Sequence, residues 1–246
     1  MFDLMSALCF DDNRSVNFRH IIDNGVVLKS SGTTGTPKEI FQPPKKIQAS
    51  NAVAVDSQQL TKHSRVYTVC KIEHAGGLLA QTLPAYSIGA DIVIEDFNAY
   101  RWVKEIHKYT HTHLTPNHCR AIMGTKDFWK CNFTGIWITC GSDPVAWDII
   151  EAFVDRGATF MTNWGMTEVG PCAINTTFTS VNMVTDFKNR CIHDFTLLGN
   201  VSYVDWKIRD SELYVNGDIC VYDGWVATGD VVEVNNSKDL YYVKRK

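Results

Sequence analysis

No apolar stretch of the 246-residue chain approaches the roughly 18 residues that a membrane span needs, and no membrane association is expected. No strongly basic balance is present: formal net charge is -3, and no block of like charge marks a tail, which argues against a nucleic-acid partner. No Cys-x-x-Cys pair occurs among the eight cysteines, at positions 9, 70, 119, 131, 140, 172, 191 and 220. Most lie in apolar runs such as Trp137-Ile138-Thr139-Cys140, so they read as reduced, mostly buried thiols of a reducing compartment. Met1 to Phe10 is apolar but has neither a basic lead nor a small-residue cleavage site. It makes a poor signal peptide, and a cytoplasmic location is expected. The four Asn-x-Ser/Thr sequons, at Asn132, Asn175, Asn200 and Asn235, then read as coincidence. There is no internal repeat and no low-complexity segment.

Hydrophobic residues make up 45% and charged residues 21%, an ordinary soluble composition. The length suits one large domain, or one domain with a small appendage. Short β-branched runs alternate with longer helical patterns. Strands are expected at Val26 to Lys29, Val66 to Cys70, Asp91 to Glu95, His113 to Thr115, Ile136 to Cys140 and Thr159 to Thr162. Helices are expected at Lys45 to Leu60, Gly77 to Tyr86, Tyr100 to Tyr109, Asn117 to Met123 and Pro144 to Arg156. Ser142 or Asp143 would cap the last, and Gly157 would end it. This order predicts an α/β layer with a mostly parallel sheet over residues 1–190. Residues 191–246 are rich in Val, Tyr and Trp, with turn signals at Arg209-Asp210, Asn216-Gly217, Asp223-Gly224 and Asn235-Asn236. They read as a small antiparallel β subdomain.

The segment Ser30-Ser31-Gly32-Thr33-Thr34-Gly35-Thr36-Pro37-Lys38 follows a strand and is expected to precede a helix. Gly32 and Gly35 let the backbone turn its N–H groups toward an anion. Ser30, Ser31, Thr33 and Thr34 add hydroxyl donors, Lys38 adds a mobile cation, and the next helix would add its positive end. These are the requirements of a polyphosphate. The Walker pattern fails, because Pro37 precedes Lys38 and Glu39 follows it. A polar surface turn is the competing reading.

The loop resembles the signature of the adenylate-forming superfamily of AMP-binding enzymes: acyl- and aryl-CoA synthetases, luciferases and peptide-synthetase adenylation domains. The match runs from Ser31 to Lys38 and departs at Glu39, where the family has Gly. Asn163-Trp164-Gly165-Met166-Thr167-Glu168 is similar to the family's Tyr-Gly-x-Thr-Glu. There an aromatic ring at 164 can stack on adenine, Thr167 can donate to the α-phosphate, and Glu168 is a hard oxygen ligand for Mg²⁺. Gly224-Trp225-Val226-Ala227-Thr228-Gly229-Asp230 resembles the family's Gly-Trp-x-x-Thr-Gly-Asp, where Asp230 can accept from the ribose hydroxyls. Glu73-His74-Ala75-Gly76-Gly77 resembles the segment that receives the acyl or aryl group. Gly141-Ser142-Asp143-Pro144 lies where the family runs its backbone past adenine. Taken singly, the last four matches also fit a strand-to-loop turn, a β-turn aspartate, a structural histidine and a helix entry.

The resemblance implies ATP and AMP as ligands, with Mg²⁺, and coenzyme A as an acceptor. Lys38, Thr167 and Glu168 are the expected catalytic set. Ser31, Gly32, Thr33, Thr34, Gly35, Lys38, Gly141, Ser142, Asp143, Asn163, Trp164, Gly165, Met166, Thr167, Asp230 and Arg245 are the expected nucleotide site. His74, Gly76 and Gly77 are expected to meet a small carboxylic acid substrate. Val243-Lys244-Arg245-Lys246 resembles the segment before the family's hinge, with Lys244 in place of Gly. The N-terminal region and the C-terminal lid domain, with its bridging lysine, are therefore expected to be missing. The reaction expected is carboxylic acid adenylation, completed by a lid domain or carrier protein in trans. A binding module without turnover is the alternative. An uncovered flank would favour a homodimer or hetero-complex. His107 and His111 have the i, i+4 spacing of zinc ligands, but a helix followed by a strand would scatter them, so no metal is expected there.

Overall fold

The computed structural model describes residues 16–30, 38–191 and 196–246. Helix α1 (Phe18–Asn24) starts at Asn17, whose side chain accepts from His20 N at 2.9 Å, and ends at Gly25 with φ +82°. Strands β1 (Val26–Ser30) and β2 (Lys38–Gln42) form an antiparallel hairpin in which Ser30 faces Lys38. Two sequence expectations are corrected here. The first expected strand stands outside the parallel layer. The loop leads into a strand, so no helix terminus follows Lys38. Alternation explains it: Ile40 and Gln42 turn inward while Lys38, Glu39 and Phe41 stay exposed. Only then does Pro44 open α2 (Pro44–Ser57) at its first turn.

The main sheet has seven strands in the order β10-β8-β7-β6-β5-β3-β4. Strands β3 (Arg65–Thr68), β4 (Asp91–Ile94), β5 (His111–Leu114), β6 (Trp137–Gly141) and β7 (Thr159–Met166) are mutually parallel. Strands β8 (Gly170–Phe178) and β10 (Val201–Ser202) run antiparallel to this set. One face is covered by α4 (Ala99–Glu105), α5 (Pro116–Met123), α6 (Trp147–Val154) and α7 (Val181–Asn189) over an aromatic core that includes Trp102, Phe128, Phe133, Phe153 and Phe160. The other face carries α2 and α3, a helical run that is π-wound at Leu78–Thr82 and α-helical at Leu83–Ser87. Several boundaries differ from the sequence pattern; β7, for example, runs on to Met166, four residues past expectation. Strand β5 begins at His111, two residues before expectation. Helix α6 begins at Trp147 behind Ala146, not behind Ser142 or Asp143. Pro144 disfavours helical backbone at Asp143, and Ser142 sits at φ +80°.

Strands β9 (Thr196–Gly199), β11 (Asp205–Arg209), β12 (Glu212–Asn216), β13 (Val226–Val234) and β14 (Leu240–Arg245) form a five-stranded antiparallel sheet in the order β11-β12-β13-β14-β9. It shares a core with the large sheet: Ala173 and Ile174 of β8 join Leu213, Val215 and Val232. Short helices and a twisted mixed sheet thus bring the ends of β2, β7 and β13 to one place.

Candidate nucleotide site

Strand β7 runs into β8 through the turn Thr167-Glu168-Val169, closed by Val169 N donating to Met166 O at 3.0 Å. Gly165 permits this hairpin, because a Cβ there would lie 2.4 Å from the Gly170 carbonyl oxygen. Two other segments hold the tip. Gln42, at the end of β2, donates Nε2 to Thr167 O at 2.8 Å, and Val221 N donates to Glu168 O at 2.9 Å. The second strand of the β1–β2 hairpin and the segment before β13 therefore clamp the same turn. Lys38 is exposed. Glu168 is half-buried, and no protein group among the described residues binds its carboxylate.

Trp164 points its indole at Asp230, and Nε1 donates to Oδ2 at 3.0 Å. Arg245, paired with Asp230 across β13 and β14, donates to Oδ1 at 2.8 Å. The Asp230 side chain is 4% exposed, so both contacts act where water screens little. Its backbone N–H donates to Thr228 Oγ1 at 3.1 Å, and Thr228 donates to Leu213 O at 2.8 Å. Asn163 Oδ1 accepts from Cys172 N at 2.8 Å within the hairpin, and its backbone pairs with Gly141 of β6. Gly141 lets β6 approach β7 closely, because a Cβ would sit 2.4 Å from Asn163 O. Asp143 and Ser142 are exposed in the turn beyond.

The segment expected to meet the acid sits alongside. His74 is exposed and opens the turn Ala75–Gly77, its carbonyl accepting from Gly77 N and Leu78 N at 3.1 and 3.0 Å. A Cβ on Gly77 would lie 2.0 Å from Lys71 O, so this turn is built on glycine. A Cβ on Gly76 would lie 3.1 Å from Ser142 Oγ and 3.3 Å from the His113 ring. Gly76 and Ser142, distant in sequence, are thus neighbours. Ser31, Gly32, Thr33, Thr34 and Gly35 lie outside the described residues. His107 lies in the turn after α4, and His111 on β5 faces Gln58 O at 3.1 Å.

Sequence reasoning missed Gln42 and the polar cluster under α3. Gln58 Nε2 donates to Ala54 O and Ala80 O at 3.0 and 2.6 Å, and its Oε1 accepts from Thr139 Oγ1 at 2.7 Å and Gln81 Nε2 at 2.9 Å. The signal was available: a strand over His111-Thr112-His113 puts both histidines on one face. Burial holds the His113 imidazole neutral, its pKa lowered to about 4, and lowers that of His111.

At the end of the parallel sheet the structure gathers the Asp230 carboxylate held by two donors, the Trp164 ring, and the Glu168 carboxylate, which has no partner among the described residues. Comparison with known proteins identifies the family. The family model for AMP-binding enzyme matches residues 23–229, and the chain belongs to that family. An indoleacetate–CoA ligase of Aromatoleum aromaticum is 28% identical over 60% of the chain and 30% of its own length. A 4-coumarate–CoA ligase-like protein of Oryza sativa is 27% identical over 91% of the chain and 43% of its own. The chain thus spans less than half the length of these relatives. Among solved structures, ATP-bound MatB of Rhodopseudomonas palustris superposes with a TM-score of 0.73 at 15% identity, over 89% of this chain and 48% of that one. The O-succinylbenzoate coenzyme A synthetase of Bacillus subtilis, in complex with AMP, gives 0.74 at 20% identity, over 92% and 50%. These likenesses establish the fold.

Proposed function

We propose that the chain binds ATP and adenylates a carboxylic acid, as the first half of an AMP-forming acid–CoA ligase reaction. The observation that carries this reading is the convergence of Trp164, Asp230 and Arg245 with the Thr167-Glu168 turn. Residues 1–190 serve as the nucleotide- and acid-binding core and 191–246 as a small β subdomain.

Trp164, fixed by Asp230, offers an indole face to adenine. The second lone pairs of the Asp230 carboxylate remain for the ribose hydroxyls, with Arg245 beside them. Thr167 donates to the α-phosphate. Lys38 and the loop from Ser31 to Gly35 hold the leaving pyrophosphate. A half-buried carboxylate without a partner among the described residues fits Mg²⁺, which takes one or two carboxylates plus phosphate oxygens, so Glu168 would hold it. When bound, Mg²⁺ neutralises phosphate charge. A carboxylate oxygen of the acid forms a bond to the α-phosphorus as the bond to the bridging oxygen breaks. Pyrophosphate leaves with that electron pair. Positioning and charge neutralisation are the work required.

The curated relatives include ligases named for indoleacetate and for 4-coumarate, which supports an aromatic acid, with coenzyme A as acceptor. Val93 and Ile94 are exposed on β4 at the sheet edge, which supports a homodimer or hetero-complex; a monomer by light scattering at high concentration contradicts this. Cys70, Cys119, Cys131, Cys140, Cys172 and Cys220 are free thiols, which favours the cytoplasm.

The test is ATP–pyrophosphate exchange across a panel of carboxylic acids. Exchange that needs an acid and vanishes in Lys38→Ala and Glu168→Gln supports the enzyme. Tight ATP binding with no exchange, at excess protein and with any acid, supports the binding module and overturns adenylation.

A further inference from the structure

The inward face of β2 ends on a buried amide. Gln42 is 2% exposed, at a position where the alternation with Ile40 would ordinarily place an apolar side chain. A buried amide costs free energy unless its polar atoms are paired. The Gln42 Nε2 group finds its partner outside its own hairpin, donating to Thr167 O at 2.8 Å across 125 residues of sequence.

Both ends of this bond are anchored. Val26 faces Gln42 across the hairpin and is buried with Leu28, Ile47 and Leu78. Gly25 packs so closely that a Cβ there would lie 2.5 Å from Gln42 O. On the other side, Val169 is buried among Ile174, Leu213 and Val215, and Val221 N donates to Glu168 O at 2.9 Å. The bond therefore joins two fixed segments.

Lys38, Ile40 and Gln42 lie on one face of β2 by the two-residue repeat of a strand. Lys38 stands four residues up that strand from the amide, a span of about 13 Å. Thr167 and Glu168 ride on the turn that the amide holds. The bond thus sets the separation of Lys38 from the Thr167 hydroxyl and the Glu168 carboxylate. Misplacing a contact by about 1 Å can cost a transfer reaction on the order of 100-fold in rate.

We propose that Gln42 is a positioning residue for adenylyl transfer. Through Thr167 O it holds the turn carrying Thr167 and Glu168 in register with the strand carrying Lys38. It acts through these residues and does not touch the nucleotide. This rests on the reading of the chain as an acid-adenylating protein.

The experiment compares the wild type with Gln42→Met, which keeps the volume and removes the donor. ATP–pyrophosphate exchange is measured with the acid that serves the wild type best. The rate is expressed per AMP-binding site counted by calorimetry, so that misfolded protein drops out. Gln42→Met is expected to lose about tenfold in maximal exchange rate, with less than about twofold change in half-saturating ATP and in AMP affinity. Gln42→His, whose Nε2–H reaches about as far as the glutamine amide, is expected to recover most of that loss. Gln42→Leu gives a second donorless variant should Gln42→Met not fold. A merely structural role would lower the count of binding sites and leave the rate per site unchanged, which overturns the proposal. So does a loss that appears in ATP affinity alone, or a loss in Gln42→His as large as in Gln42→Met. Wild-type exchange that is absent with every acid overturns the adenylation reading, and the proposal with it. Wild-type exchange that the donorless variants retain overturns only the positioning role.

Discussion

Across 66 residues of sequence, the indole N–H of Trp164 donates to the Asp230 carboxylate at 3.0 Å. With Arg245 on the other oxygen, the contact joins the large sheet to the small one. A Phe at 164 keeps a ring for stacking but removes the donor. We expect Trp164→Phe to weaken AMP and ATP binding about fivefold, and Trp164→Ala to weaken it more than tenfold. Titration calorimetry reads both. Equal affinities in wild type and Trp164→Ala would remove the indole from the site.

Lys38 is exposed, and among the described residues no carboxylate holds it, so its removal should leave stability unchanged. Its charge should matter for pyrophosphate-bearing ligands alone. Lys38→Ala is expected to lose about tenfold in ATP affinity and less than about twofold in AMP affinity. An equal loss for both nucleotides would place Lys38 near the nucleoside instead.

His111 and His113 are buried neutral, with pKa values below the ordinary histidine value. The unfolded chain therefore binds protons that the folded chain does not. Stability from this source is complete above about pH 6.5 and is lost as the pH falls toward the His113 value of about 4. The His113 part is on the order of 3 kcal/mol. Urea unfolding at about pH 7 and about pH 4.5 should show a smaller drop for His113→Gln than for wild type. Identical drops would mean that His113 does not titrate with folding.

Gln58 is fully buried and saturated, so Gln58→Met should keep the volume but strand Thr139, Gln81 and two carbonyls. A loss of roughly 3 kcal/mol in unfolding free energy is expected. A change below about 0.5 kcal/mol would mean that the network relaxes onto other partners.

The sequence carried the parallel layer well, because Val66, Ile92, Ile138 and Phe160 lie in short β-branched or aromatic runs between helical patterns. It did not reveal β8: Gly170-Pro171 and the polar Asn175-Thr176-Thr177 carry no apolar alternation, although pairing with β7 buries nearly all of it. Nor did it reveal β2, whose five residues are too few to show their alternation beside a glycine-rich loop. Asp230, Trp164 and Arg245 were legible as separate motifs. Their mutual hydrogen bonds were not, because pairing across sheets has no local pattern. Gln58 and Gln81 escaped for the same reason: a polar residue at a helix end normally faces water.

The central claim is that one adenine nucleotide is held between Trp164, Asp230 and Arg245. Calorimetric titration of the purified chain with AMP tests it directly. One AMP bound per chain, with affinity lost at least tenfold in Asp230→Ala while the variant stays folded, is the expected result. No binding to wild type, or undiminished binding to folded Asp230→Ala, would contradict it.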